Sequence, residues 1–233
     1  KFKRLIFQSY NRNLSTELMS KHFAGLTELN EIILSSNGLT NLPQDLFSDF
    51  TNLTSLDLRS NNIKLSSGIF DSLTKLKYLE LGHNDIQDLS EGIFKNLNEL
   101  TQLNLWQNAI QHISKGAFEG LVHLKALDLS ANKLEALDVG VFNDLPSLTI
   151  LHMNSNNLST LPAKLFETNR NLTTVKFSLN KNMNMVLEDH LFANLSYLSN
   201  VSLDRCRLKS IPDNLFTNSK NLTNIDISYN SLT

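Results

Sequence analysis

The chain has 233 residues, of which 41% are hydrophobic and 19% are charged, and its formal net charge is −2 at pH 7. This composition is typical of a folded protein with a sizeable core, and it argues against disorder and against a general affinity for nucleic acid or anionic membranes. With one cysteine, Cys206, the chain has no internal disulfide framework and no cysteine-based zinc site. No apolar run reaches about eighteen residues and the first residues lack an export signal, so we expect neither a membrane span nor self-directed export.

The predicted elements follow one repeated pattern along the chain. The pattern L-x-x-L-x-L-x-x-N-x-L starts at Phe2 and returns with starts at Leu29, Leu53, Leu76, Leu100, Leu124, Leu148, Leu172, Leu198 and Leu222. Its first, fourth and sixth side chains point inward from a short strand, and one such strand cannot bury its apolar face without neighbours. The sequence therefore predicts a single leucine-rich-repeat domain over residues 1–233, with nine complete repeats and a partial tenth.

Two more columns of side chains complete each repeat. The ninth position is usually an asparagine, whose amide can satisfy backbone groups left unpaired at each turn: Asn37, Asn61, Asn84, Asn108, Asn132, Asn156, Asn180 and Asn230. A phenylalanine precedes the next unit by six residues and should fill the far side: Phe23, Phe47, Phe70, Phe94, Phe118, Phe142, Phe166, Phe192 and Phe216. Parallel crossovers are right-handed in about 98% of cases, so the coil should be right-handed. The predicted fold class is α/β. It is a right-handed leucine-rich-repeat solenoid with a parallel concave β-sheet and a mostly irregular or short-helical convex side.

Two units depart from the pattern. Tyr10 and Cys206 replace the ladder asparagine, and the longer units contain the irregular runs NRNLSTELMS and NKNMNMVLED. We expect local distortion of the ladder at both places. Cys206 is interpreted as a small buried thiol with a weak donor, because no base that would activate it can be identified.

Several short elements resemble the extracellular repeats of Toll receptors. They are the L-P-x-x-L-F elements at 42–47 and 161–166, LIF at 5–7, the shortened unit with SNNIKLSSGIF, LNLWQN at 103–108 and HLFAN at 190–194, in an order similar to the amino-terminal half of an insect Toll ectodomain. The resemblance implies a cystine-knot cytokine of the Spätzle type as protein ligand, receptor dimerisation on ligand binding, and a location on the extracellular side of the plasma membrane. The family's cysteine-rich caps, transmembrane helix and signalling domain are not in this sequence, so we expect an ectodomain fragment.

The sequence contains no pattern typical of catalysis, metal binding or cofactor binding. The eight glycines form no G-x-G-x-x-G and no phosphate loop, and the six histidines form no H-E-x-x-H and no cluster. No nucleophile elbow supports a Ser-His-Asp set. We therefore predict no catalytic residue, no metal and no cofactor, and a protein that presents a surface instead.

The fifth position of consecutive units defines a column on the concave face that contains Asp57, Glu80 and Asp128. Neighbouring strands lie about 4.8 Å apart, so these carboxylates repel one another, and we hypothesise that they complement a basic patch on a partner. An ordinary solvated face is the alternative. The predicted ligand-contact residues are Asp57, Arg59, Tyr78, Glu80, Asn104, Trp106, Asp128 and His152.

The only tryptophan, Trp106, lies in the seventh-position column between Gly82 and Ser130. Neither neighbour is large enough to cover the indole, so we expect it to project and to act as an interface hot spot. An indole lying flat on its own sheet is the alternative. His83 and His152 are predicted to face the concave surface, where protonation could tune binding; two solvated imidazoles are the alternative.

Seven N-glycosylation sequons favour a secreted or cell-surface protein: Asn13, Asn52, Asn157, Asn171, Asn194, Asn200 and Asn221. None lies between Asn52 and Asn157, so we place ligand contact in the amino-terminal and middle units. A secreted adhesion or matrix-binding protein without signalling is the main alternative. A cytosolic enzyme inhibitor is a third possibility, which the sequons disfavour.

Overall fold

The computed structural model describes residues 2–7, 23–180 and 185–233. Ten strands of three residues each form one parallel sheet. They are β1 (Arg4–Ile6), β2 (Glu31–Ile33), β3 (Ser55–Asp57), β4 (Tyr78–Glu80), β6 (Gln102–Asn104), β8 (Ala126–Asp128), β9 (Ile150–His152), β11 (Thr174–Lys176), β13 (Asn200–Ser202) and β14 (Asn224–Asp226), adjacent in that order. The predicted parallel-sheet solenoid is confirmed. Tyr10, Asn13 and the run NRNLSTELMS lie outside the described residues, as does part of NKNMNMVLED.

Two small parallel sheets lie away from the main one. β5 (Asp88–Leu89) pairs with β7 (His112–Ile113), and β10 (Thr160–Leu161) pairs with β12 (Val186–Leu187). Each of these strands has two residues, so they join neighbouring turns of the coil at single points.

The register of the main sheet matches the repeat pattern. Leu103 pairs with Leu79 on one side and with Leu127 on the other, so equivalent positions of adjacent units face each other. Because side chains alternate across a strand, this register separates a buried leucine column from the columns that line the opposite face. The surface columns expected from the sequence therefore exist.

The core consists of the inward leucines and the phenylalanine column. Rings of neighbouring units stack with centroids 5.6 to 6.3 Å apart in the pairs Phe47–Phe70, Phe70–Phe94, Phe118–Phe142, Phe142–Phe166, Phe166–Phe192 and Phe192–Phe216. Each fully buried large apolar side chain stabilises the fold by about 1.5–3 kcal/mol. Since no single turn encloses such a residue, stability depends on the stacking of turns.

The convex side is irregular, as expected, but the expectation of short helices there was wrong. In the described residues it is made of successive turns, and helical geometry is confined to Phe23. In one unit the amides of Lys95, Leu97 and Leu100 each donate to the carbonyl three residues earlier. An α-helix needs hydrogen bonds from each amide to the carbonyl four residues earlier, whereas this segment forms consecutive β-turns. The described residues also contain no helix long and apolar enough to cross a bilayer.

The asparagine ladder is confirmed, with Asn132 as an example. Its Nδ2 donates to the carbonyls of Leu105 and Leu129, both at 3.0 Å, and its Oδ1 accepts the amide of Ile110 at 3.0 Å. One buried side chain thus satisfies three backbone groups in two turns of the coil. The same pattern recurs at Asn61, Asn84, Asn108, Asn156 and Asn180.

Cys206 stands at a ladder position and makes some of the hydrogen bonds that an asparagine makes in other units. Its buried thiol donates to the carbonyl of Phe177 at 3.2 Å, and its own amide donates to Oδ1 of Asn230 at 2.9 Å. Burial raises the pKa of the thiol to about 11. These contacts support the interpretation of Cys206 as a structural residue.

Candidate ligand-binding surface

The face of the main sheet opposite the leucine column is lined by the third, fifth and seventh positions of the repeats, and we call it the open face. All eight predicted contact residues lie on it, in units β3 to β9. Tyr78 is 45% exposed at the third position. The register brings Asp57, Glu80, Asn104, Asp128 and His152 into one row, each beside the next.

Asp57 is buried and is compensated by Arg59, two residues further along. The guanidinium donates through Nε to Oδ1 at 3.0 Å and through Nη2 to Oδ2 at 2.8 Å. This bidentate pair raises the pKa of Arg59, chiefly through the hydrogen bond to Asp57. Half of the Arg59 side chain stays exposed, so the pair presents a guanidinium rather than a carboxylate to a partner.

Glu80 is the least compensated carboxylate of the row. Its Oε2 is buried and has no hydrogen-bond partner among the described residues. Burial raises the pKa of Glu80, and the attraction of Arg59 and a hydrogen bond from Asn104 offset this only in part. The charge that Glu80 contributes to the open face therefore costs more free energy than the charge of a solvated carboxylate would.

Asp128 is in the opposite situation. Burial acts to raise its pKa, but the neighbouring imidazole of His152 and the hydrogen bonds from Ser130 outweigh burial, and the pKa of Asp128 is lowered. The amide of Ser130 donates to Oδ1 at 2.8 Å, and Nδ1 of His152 lies 3.7 Å from Oδ2. His152 thus lies on the open face as predicted, beside the carboxylate of Asp128.

We expected Trp106 to project freely, and it does not. Its side chain is half-buried because the indole lies across Gly82, where an added Cβ would come within 2.5 Å of the indole Cδ1. The imidazole of His83 meets the ring edge-on, with centroids 5.1 Å apart. The small neighbour makes room for the ring on the sheet, so the indole offers only part of its surface to a ligand.

His83 lies beyond the end of β4 and not on the strand. It is exposed, and its backbone is left-handed with a φ of 60°. The same conformation recurs at this eighth position in neighbouring units, including Ser36, Ser60 and Gln107. The prediction that His83 occupies a strand position was therefore wrong, and the residue belongs to the rim where the strands end.

A hollow at this rim was missed in the sequence. It has a volume of about 220 Å³ and is lined by Ser36, Arg59, Ser60, Gly82, His83 and Trp106, among others. The glycine at the seventh position, where most units have a larger residue, was the one signal that could have indicated it.

The sequons are spread around the coil. Asn157, Asn171, Asn194 and Asn221 are exposed, and Asn52 is half-buried. Asn200 lies on β13 at the third position, on the open face, and its amide donates to Oγ of Ser199. Among the described residues, the face from β4 to β8 has no sequon. Nowhere in residues 2–7, 23–180 and 185–233 could a group of three or more His, Cys, Asp or Glu residues hold a metal ion.

The comparisons with known proteins agree with this architecture. The leucine rich repeat family matches residues 11–63, 27–86, 63–109, 74–134, 99–158 and 122–181, and a BspA type leucine rich repeat region matches 161–233. Among curated relatives, CD180 antigen of Mus musculus is 37% identical over 65 residues, which are 27% of this chain and 10% of CD180. Keratocan of Gallus gallus is 32% identical over 92 residues, 38% of this chain and 25% of keratocan. The chain thus spans a quarter or less of these relatives.

Solved structures extend the similarity over nearly the whole chain. The Toll chain of the Drosophila Toll–Spätzle complex has a TM-score of 0.84 and 32% identity, and the match covers 98% of this chain and 30% of that one. TLR13 in complex with ssRNA13 has a TM-score of 0.69 and 26% identity, over 91% of this chain and 38% of that one. The protein is similar to the ectodomains of Toll and Toll-like receptors, and the chain belongs to the leucine-rich repeat family.

Proposed function

We propose that the chain is a ligand-binding ectodomain fragment of a Toll-type receptor that acts without catalysis on the extracellular side of the plasma membrane. The proposed ligand is a protein, a cystine-knot cytokine of the Spätzle type, and its binding drives receptor dimerisation. The observation that carries the proposal is the similarity over 98% of the chain to the Toll protein of the Toll–Spätzle complex. The sequons support a route through the secretory pathway.

The proposed contact surface is the open face from β3 to β9. It combines the exposed Tyr78, the partly exposed indole of Trp106 and the half-buried carboxylates of Glu80 and Asp128. Aromatic side chains supply much of the binding energy of protein interfaces, and a row of carboxylates selects a partner with basic side chains. The lack of sequons from β4 to β8 keeps this part of the face free of N-linked glycans.

The decisive experiment is a binding measurement between this chain and cystine-knot cytokines including Spätzle. Trp106→Ala is expected to weaken binding by about 2 kcal/mol if the indole is a hot spot. Tyr197→Ala is the matched control, because Tyr197 is a 59% exposed aromatic residue placed before β13 and off the open face. Equal losses for both variants, or no binding of any cystine-knot protein, would contradict the proposal.

A secreted or cell-surface protein that binds matrix components without signalling is the second candidate. The 32% identity to keratocan over 92 residues favours it. The two candidates differ in how the protein is held at the cell. Surface labelling of cells that express the natural full-length protein would detect a membrane-anchored receptor, whereas release of the protein into the medium would favour the second candidate.

Nucleic acid is a less suitable ligand, although TLR13 is solved with a single-stranded RNA. Phosphate binding requires several lysine or arginine side chains along one track. The open face instead places Asp57, Glu80 and Asp128 in one row, with Arg59 already bound to the first of them. Protein is therefore the proposed class of partner.

A further inference from the structure

The hollow at the rim of the open face continues into a second depression. The second depression has a volume of about 460 Å³ and shares Ser36, Ser60 and His83 with the first hollow. Together they form one shallow, polar depression at the ends of β2, β3 and β4, and we call it the rim hollow. Its size is in the range of about 300–1,000 Å³ that is typical of small-molecule sites.

Hydrogen-bonding groups that the fold does not use line the rim hollow. Within the described residues, no partner accepts from Nη1 of Arg59, whose Nε and Nη2 are both bound to Asp57. The indole Nε1 of Trp106 and the ring nitrogens of His83 are likewise without partners there. The hydroxyls of Ser36 and Ser60 can each donate and accept. A suitable ligand therefore carries several groups that do both.

The charges around the rim hollow disfavour an anion. Arg59 is the nearest cation, and its charge is already compensated by the bidentate contact with Asp57. Glu80 also lies close enough to Arg59 for their charges to interact. A carboxylate or sulfate beside the guanidinium would be repelled by these two nearby acids and would find Arg59 already paired, so a neutral ligand is favoured.

One side of the rim hollow is aromatic. The indole of Trp106 lies along the floor over Gly82, and the imidazole of His83 stands against it at an interplanar angle of 89°. The C–H face of a pyranose ring packs well on such a surface, while its hydroxyls reach the surrounding polar groups. A linear polyol or a peptide backbone lacks a rigid apolar face of this shape.

We infer that the rim hollow is a saccharide-binding site that takes one or two neutral pyranose units. The saccharide is either free or part of a glycan carried by another protein. The inference stands on the rim hollow alone, and it does not require that the open face bind a cytokine.

Fluorescence of the single tryptophan can test this directly. The 233-residue chain, treated to remove its own N-linked glycans, is titrated with mannose, galactose, glucose and N-acetylglucosamine. At least one of them should produce a saturable change in Trp106 emission with a Kd of about 1 mM, as expected for a ligand of this size. Mannitol, sodium acetate and sodium sulfate should produce none.

Two serine variants test whether the saccharide binds in the rim hollow or elsewhere on the coil. Ser60→Ala removes a lining hydroxyl and should weaken saccharide binding about three- to tenfold. Ser155→Ala is the matched control, because Ser155 is exposed at the same repeat position with the same φ of 56° but lies outside the hollow. It should leave the affinity unchanged.

A second arm identifies the source of the saccharide. A tryptophan-free glycopeptide prepared from ovalbumin is added before and after enzymatic removal of its N-linked glycan, and a response to the first sample alone indicates a protein-borne glycan. Free sugars alone give a response if the source is soluble saccharide. No response to any sugar, a response to acetate or sulfate instead, or equal effects of the two serine variants would overturn the inference.

Discussion

The indole of Trp106 lies across the backbone of Gly82, and the absence of a side chain at Gly82 is what allows it. A Cβ at this glycine would lie 2.5 Å from the indole Cδ1 and 3.3 Å from the Trp106 carbonyl oxygen. Gly82 is buried and is not in the left-handed region, so the requirement for glycine here is steric and not conformational. The open face thus owes the position of its largest side chain to the residue beneath it.

Gly82→Ala is therefore expected to displace the indole from the sheet. Forcing a methyl group into a packed contact costs about 1–3 kcal/mol of unfolding free energy. A displaced ring is more exposed to water, so the emission of the single tryptophan should shift to longer wavelength. Urea unfolding and intrinsic fluorescence measure the two effects on the same sample.

A double-mutant cycle checks the cause. In the Trp106→Ala background the methyl group of Gly82→Ala no longer meets a ring, and its cost should fall below about 1 kcal/mol. An equal cost of Gly82→Ala in both backgrounds would mean that the glycine is needed for the backbone and not for the indole.

The sequence was sufficient for features set by periodicity and insufficient for those set by side-chain orientation. Leu103 pairs with Leu79 and Leu127 because the leucine spacing permits only one register. In contrast, the small neighbours of Trp106 are compatible with a ring that projects and with a ring that lies flat, and only packing distinguishes the two. The turns of the convex side were also not distinguishable from short helices, since both bury a phenylalanine at the same interval.

The asparagine ladder should make a large contribution to stability. Asn132→Ala leaves the buried amide of Ile110 without a partner, at a cost of about 1–3 kcal/mol. The carbonyls of Leu105 and Leu129 each lose one of two side-chain donors, and they keep those of Asn108 and Asn156. A loss of about 1–3 kcal/mol in unfolding free energy is expected from urea unfolding. Asn62→Ala is the control, because Asn62 is the exposed neighbour of ladder residue Asn61 and should cost less than about 1 kcal/mol.

Cys206 should be chemically inert in the folded protein. Burial raises the pKa of its thiol to about 11, so almost no thiolate is present at neutral pH. Iodoacetamide at neutral pH should label Cys206 only after unfolding in urea, as followed by mass spectrometry. Fast labelling of the folded chain would show that the thiol is accessible and would contradict its place in the ladder.

The raised pKa of the Cys206 thiol also leads us to expect a lower unfolding free energy at alkaline pH. A raised pKa in the folded state means that the contribution of Cys206 is complete below the unfolded value of about 9. The contribution is lost as the pH rises toward about 11. Cys206→Ser removes the titrating thiol, so the decline of unfolding free energy over this interval should be smaller in the variant. Identical pH profiles of the two proteins would contradict the assignment.

Glu80 and Asp128 occupy the same row, yet they should respond to pH in opposite ways. Burial raises the pKa of Glu80, so its contribution to stability is present below its unfolded pKa and is lost as the pH rises through the folded value. The pKa of Asp128 is lowered by its hydrogen bonds, although burial opposes them, so its contribution is present above the unfolded pKa and is lost as the pH falls through the folded value. Glu80→Gln should accordingly stabilise the protein at pH 7 and not at pH 3, whereas Asp128→Asn should destabilise it at pH 7.

Unfolding free energies from urea titrations at both pH values measure this contrast. Glu99→Gln is the control for loss of one negative charge, because Glu99 is exposed and lies before β6, off the open face. If Glu80→Gln destabilises the protein at pH 7, its Oε2 has a partner in solution and the row is more fully compensated than the structure indicates. A gain restricted to neutral pH would instead mean that Glu80 is held on the open face at a cost in stability, which is expected of a residue placed there for binding.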